Sequence, residues 1–176
     1  MKKIILILTF CCVFIILKAQ EESPTLKGKT QLNIGLGIFG WGGANIYPLH
    51  AGVDFFIINH LSLGIDMNWR YINYTSHAHQ LFSAQAVIDY HLNEVMQLPN
   101  AWDVYAGIKA GPGYMTDPDN WNALYDDGIK FVFDGRFGGR YYFNEKLAVN
   151  AEIGLMTISE SKTSGIAFTA GITSKL

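Results

Sequence analysis

Apolar and polar residues alternate with period two through eight successive stretches of this chain, a periodicity that suits strands and not helices. The first, from Gln31 to Phe39, sets Leu32, Ile34, Leu36 and Ile38 against Asn33, Gly35 and Gly37. The second sets Leu49, Ala51, Val53, Phe55 and Ile57 against His50, Gly52 and Asp54, and the third runs Leu61, Leu63, Ile65, Met67, Trp69, Tyr71 with Asp66, Asn68 and Arg70 between. The fourth alternates Phe82, Ala84, Ala86, Ile88 and Tyr90 with Ser83, Gln85, Val87, Asp89 and His91. The second half repeats the scheme from Trp102 to Ala110, from Ile129 to Phe143, from Leu147 to Leu155 and from Ile166 to Lys175. Each run has about 9 to 12 residues, which a tilted strand needs to cross a bilayer.

Met1–Gln20 must be set apart first. Lys2-Lys3, an apolar run from Ile4 to Leu17 and Lys18-Ala19-Gln20 have the layout of a signal peptide cut after Ala19. The run is short of the roughly 20 residues of a membrane helix. Cys11 and Cys12 lie inside it, and bulky Phe10 does not suit a lipid-attachment site, so the mature chain is expected to lack cysteine. The expected organisation is a cleaved leader over 1–19, a short periplasmic tail over 20–29 and one outer-membrane β-barrel over 30–176.

The chain has 13 basic and 15 acidic residues, with Lys2, Lys3 and Lys18 in the leader, so the mature balance is −5. A negative chain is a poor partner for phosphate backbones, which excludes nucleic acid as the expected ligand. Connections after the second and sixth strands are tight, Asn59-His60 and Asn144-Glu145-Lys146, and Asn93–Asn100 is moderate. Thr75–Gln80, Met115–Gly128 and Thr157–Ser164 read as longer outer loops, and Gly111-Pro112-Gly113 as a strand-end break.

Alternation alone fits a soluble barrel as well as a membrane one, and two features separate them. The polar face carries glycine and balanced charge: Asp54, Asp66, Asp89, Asp103, Asp134 and Glu152 against Arg70, Lys109, Lys130, Arg136, Arg140 and Lys175. Facing lipid, each basic residue would cost about 2–4 kcal/mol near the midplane, the acids less. The aromatics of the apolar face collect at strand ends, Tyr47, Trp69, Tyr71, Phe82, Phe131 and Phe168 at one, Phe55, Tyr90, Trp102, Tyr141 and Phe143 at the other, with Phe137 between. Two such belts match the interfacial girdles of a membrane-spanning barrel. The expected fold is all-β, an eight-stranded antiparallel up-and-down transmembrane β-barrel with a salt-bridged interior. On that reading Arg at Ile65 or Ala106 is damaging, while Ser at Gly64 or Gly107 is tolerated unless the lumen is too tight.

The Lys18-Ala19-Gln20 leader end, the repeated Gly-x-aromatic strands and Arg140-Tyr141-Tyr142-Phe143-Asn144-Glu145-Lys146-Leu147 resemble the outer membrane protein beta-barrel domain family. The resemblance implies a small eight-stranded barrel of a Gram-negative envelope, with outer-membrane lipid around it and the barrel-assembly machinery as its partner during biogenesis. The chain departs from that family at Leu176, where an aromatic residue usually ends the last strand.

Candidate chemistry is sparse. Ser76-His77-Ala78-His79 joins a hydroxyl to two imidazoles in a loop, but no acid stands beside it to orient a histidine. Asp117-Pro118-Asp119-Asn120-Trp121-Asn122 is oxygen-rich, yet Trp121 and Asn122 stand where a calcium loop needs Asp or Asn and then Gly. Asp117, Asp119, Trp121 and Tyr125 are better candidates for a recognition edge. No cofactor or metal and no catalytic residue is expected, and His50 and His91 read as interior residues. The expected role is non-enzymatic, structural or surface-binding through outer loops. The alternatives are a small-solute channel and a lipid-modifying barrel enzyme.

Overall fold

The computed structural model describes residues 26–41, 44–74, 77–116, 128–159 and 163–176. Eight strands follow one another around a closed antiparallel barrel: β1 (Thr30–Trp41), β2 (Ala44–Ile58), β3 (Leu61–Tyr74), β4 (His77–His91), β5 (Trp102–Thr116), β6 (Gly128–Tyr142), β7 (Leu147–Ile158) and β8 (Thr163–Lys175). Closure comes from β8 pairing with β1, with Ile172 opposite Ile34 and Gly171 opposite Gly35. Every strand thus has two partners and no edge is left open.

The parity of the sequence decides which face looks out. Ile34, Leu36, Ile65 and Met67 are exposed on the outside, whereas Asp54, Asp89 and Arg140 are almost wholly covered inside. A soluble barrel would show the reverse, because water would have to meet the outer face; this outside suits only hydrocarbon. Trp69 stacks on Phe82 with centroids 6.3 Å apart at one end, and Trp102 meets Tyr141 at 5.0 Å at the other, so each aromatic belt has a ring contact across a strand pair.

Several expected boundaries are corrected. Thr75–Gln80 is not a loop: Tyr74 pairs with His77, leaving only 75–76 between β3 and β4, because the alternation of Ala78, Gln80 and Phe82 on the outer face continues the strand. Outer connections are therefore short at 42–43, 75–76 and 159–162, and long only at 117–127. Gly111-Pro112-Gly113 lies inside β5 instead of ending it. Pro112 has no N–H to give, and the β4–β5 ladder is interrupted there, between Ser83↔Gly113 and Ala86↔Ala110. The connection after β4 also contains one helical turn, α1 (Asn93–Met96), closed by Gln97 in the left-handed region.

Residues 26–29, expected to be tail, are tied to the turn end of the barrel. Gly28 N–H donates to Phe56 O at 2.8 Å, Phe56 N–H to Lys29 O at 3.0 Å, and Leu26 is buried. The strands run 12 to 15 residues, longer than the sequence pattern alone suggests, because they continue past the expected loop boundaries.

Candidate functional site: the barrel interior

Eight strands leave a bore that side chains can fill. They fill it here in layers. At the loop end Ile46, Ile72, Leu81, Met115, Val132, Met156 and Ile158 form an apolar cluster on the inner face. The period-two pattern assigns none of these seven residues to the inner face. The available signal was the loss of alternation near strand ends, as in Phe131-Val132-Phe133, where both faces are apolar.

Below this cap the charged side chains meet. Arg70 Nη2 donates to Asp134 Oδ2 at 2.6 Å, and Gln85 Nε2 reaches the same oxygen at 2.9 Å. Asn68 links Gln85 to Asp66, and Asp66 also receives His50 Nδ1 at 3.2 Å and Lys109 Nζ at 3.3 Å. Arg136 holds Asp89 with two nitrogens and Glu152 with the third, the latter at 3.1 Å. The fork geometry of a guanidinium suits this, since it offers parallel N–H groups to one carboxylate and another to a second.

A second knot lies toward the turn end. Arg140 donates to Asp103 at 2.8 Å and to Asp54 at 3.1 Å. A carboxylate only accepts, so His91 Nδ1, 2.7 Å from the other oxygen of Asp103, donates there; Ser62 Oγ lies 3.1 Å from its Nε2. Asn33, Thr173 and Asn150 extend the chain from Asp54 to β7. Tyr105 joins the two knots: its ring lies 4.2 Å from the Arg140 guanidinium carbon and 5.3 Å from that of Arg136. The alternation from Trp102 to Ala110 puts Tyr105 on the polar face with Asp103 and Lys109, with no sign of this contact. The signal was an aromatic on the polar face opposite Gly138, where a Cβ would come within 2.6 Å of the ring.

Asp54, Asp66, Asp89, Asp103, Asp134 and Glu152 thus form ion pairs with Arg70, Lys109, Arg136 and Arg140. Lys175 instead sets its ammonium 4.0 Å over the Tyr142 ring. Lys130 lies half-buried near the loop end of β6, opposite Gly113. Asp117, Asp119, Trp121 and Tyr125 lie outside the described residues, as does Ser76. His79 is on β4 with its side chain buried inside the barrel, so it cannot act on lipid at the outer surface. Among the described residues no group of three His, Cys, Asp or Glu side chains could hold a metal.

These contacts hold structure more than they invite chemistry. A buried ion pair adds little net stability, but removing one partner strands the other at a cost of about 3–5 kcal/mol.

No protein-family model matches the chain, and no curated protein matches it. Solved structures do. The outer membrane protein OprG from Pseudomonas aeruginosa aligns with a TM-score of 0.62 at 11% identity, over 89% of this chain and 99% of that one. Neisserial surface protein A aligns with a TM-score of 0.61 at 14% identity, over 84% and 95%. The N-terminal β-barrel domain of Pseudomonas aeruginosa OprF gives 0.59 at 12% identity, over 87% and 100%. The fold is that of the small membrane barrels. At such identities the likeness is one of architecture, and the resemblance to a sequence family rests on the residues quoted above alone.

Proposed function

We propose that the chain is a non-enzymatic outer-membrane protein whose barrel is closed to solute and serves as a rigid stand, structural or surface-binding, for its loop end. The observation that carries this reading is the filled lumen: an apolar cap at the loop end, two ion-paired knots below it, and Leu26 with Phe56 at the turn end. Solute entering such a bore would have to separate buried charge pairs, at a cost of about 3–5 kcal/mol for each partner stranded.

On this reading the leader is cut after Ala19, and both ends of the barrel strands face the periplasm, since Thr30 and Lys175 lie at the turn end. Surface recognition then falls to 117–127, the one long outer connection, which carries Asp117, Asp119, Trp121 and Tyr125. Lipid surrounds the belt, and the barrel-assembly machinery is the expected partner during insertion.

Planar-bilayer recording of the purified chain tests the reading. The expected result is no stable, reproducible conductance. Long-lived steps whose ion selectivity reverses on Arg136→Glu would move the pore to first place.

A further inference from the structure

The outer wall of the barrel is not evenly convex. A groove of ≈ 440 Å³ crosses β2, β3 and β4 on the lipid face, just below the loop-end aromatic belt. Its origin lies in residue sizes along three paired strands. Leu49, Trp69 and Phe82 stand side by side as a high bank. Two residues nearer the turn end, Ala51, Met67 and Ala84 form a low one. Between the banks lie His50, Asn68 and Ser83, whose side chains are buried in the lumen, so the floor is bare backbone. Ile34, paired with Ala51, closes the β1 end.

The high bank is fixed in place. Trp69 Nε1–H donates to Gln80 Oε1 at 3.2 Å, and the indole stacks on Phe82. Met67 on the low bank is exposed and unbranched, so it can turn to fit an occupant. Water is not that occupant, because the walls are apolar and the floor's N–H and C=O groups belong to the strand ladders. A second copy does not suit it either. Three strands span about 10 Å, whereas a stable pair of proteins buries on the order of 800 Å² on each partner. The groove is instead continuous with the belt that meets hydrocarbon, in the leaflet at the loop end. Contact between a lipid tail and the wall gains nothing from the hydrophobic effect, since tails are as apolar as leucine. Retention comes from packing. A chain on this floor touches the rigid bank as well as the backbone, where a chain on the convex wall touches one surface only.

We propose that this groove is a binding site for one straight acyl chain of an outer-leaflet lipid, held under Trp69 and Phe82 for longer than the lipid around it. The site needs the membrane placement and not the closed lumen, so its failure and a conducting barrel are separate results.

Native mass spectrometry of the full chain released from detergent micelles tests it, with each variant's folding checked by its faster gel migration before boiling. The probes are dimyristoyl and diphytanoyl phosphatidylcholine, which share a headgroup; the methyl branches of the second keep its chains off the floor. The parent should keep one dimyristoyl lipid under collisional heating that strips the others, and should keep the diphytanoyl lipid several-fold less. Ala84→Leu raises the low bank without adding a polar atom and should lose the retained lipid, as should Ala51→Leu. Ala151→Leu, on the lipid face of β7, should leave it unchanged. If Ala84→Leu does not fold, Ala51→Leu decides. Retention that survives the groove-filling variants places the lipid elsewhere, and equal retention of both lipids means that the headgroup holds it. No retained lipid in the parent means ordinary exchanging lipid, and a dimer that Ala84→Leu breaks means that a second copy fills the groove. Each of these four results overturns the proposal.

Discussion

Asp89 stands across the β4–β5 pair from Gly107, and its carboxylate occupies the space where a Cβ on Gly107 would lie. That carboxylate is the one Arg136 grips with two nitrogens. The same arrangement recurs at Gly64 beneath Asp54 and at Gly52 beneath Asp66. Inner glycines are therefore the seats of the charged side chains, which lie flat across the neighbouring strand. Ser at Gly64 or Gly107 was expected to be tolerated only if the lumen had room, and both positions are too tight for it.

Gly107→Ala should therefore push Asp89 off Arg136 and destabilise the barrel by about 3–5 kcal/mol, the scale of breaking a buried pair. Gly135→Ala is the control, since nothing lies within 4 Å of a Cβ placed there, and it should stay within about 0.5 kcal/mol of the parent. Urea unfolding of the refolded barrel in micelles reads both. Equal effects would contradict the seating.

Facing is checked from the other side of the wall. Ile65→Arg and Ala106→Arg put a charge on the lipid face at mid-strand and should cost about 2–4 kcal/mol in a bilayer. Both variants should fold less completely into lipid vesicles than the parent. Full folding yield with unchanged midpoints would mean that this face does not meet hydrocarbon.

Tyr105 offers a separable test. Its hydroxyl is buried and has no partner, while its ring lies against Arg140 and Arg136. Tyr105→Phe keeps the ring and removes the bare hydroxyl, so stability should hold or rise. Tyr105→Leu removes the ring face from both guanidiniums and should cost about 2 kcal/mol or more. A larger loss in Tyr105→Phe than in Tyr105→Leu would show that the hydroxyl, not the ring, carries the contact.

Legibility followed the range of the interactions. Inside and outside could be read strand by strand, because the period-two pattern from Leu61 to Tyr71 needs no knowledge of its neighbours. The identities of the interior charges were equally plain. Their pairing was not: Arg140 and Asp54 are 86 residues apart and meet only because the barrel closes, so no local pattern announces the bond. Polar composition misled at Thr75–Gln80, where His77 and Gln80 belong to β4 and pair with Tyr74 and Tyr71. Alternation also hides the apolar cap, since Val132 and Met156 occupy inner positions that the strict pattern assigns to polar residues.

That cap gives the sharpest division between a closed stand and a channel. Leu81 and Val132 are fully buried on the inner face, packed with Ile72, Met115 and Ile158. In a dry, packed layer Leu81→Ala removes contacts and leaves a void, at a cost of about 2–5 kcal/mol. At the mouth of a water-filled channel the same side chain would be wetted, and its loss would cost no more than about 0.5 kcal/mol, as at an ordinary surface. Thermal unfolding of Leu81→Ala in micelles, with Leu36→Ala on the lipid face for comparison, should show the larger drop for the inner residue. A drop at Leu36 alone would mean that water reaches the loop end of the lumen and that the cap does not seal it.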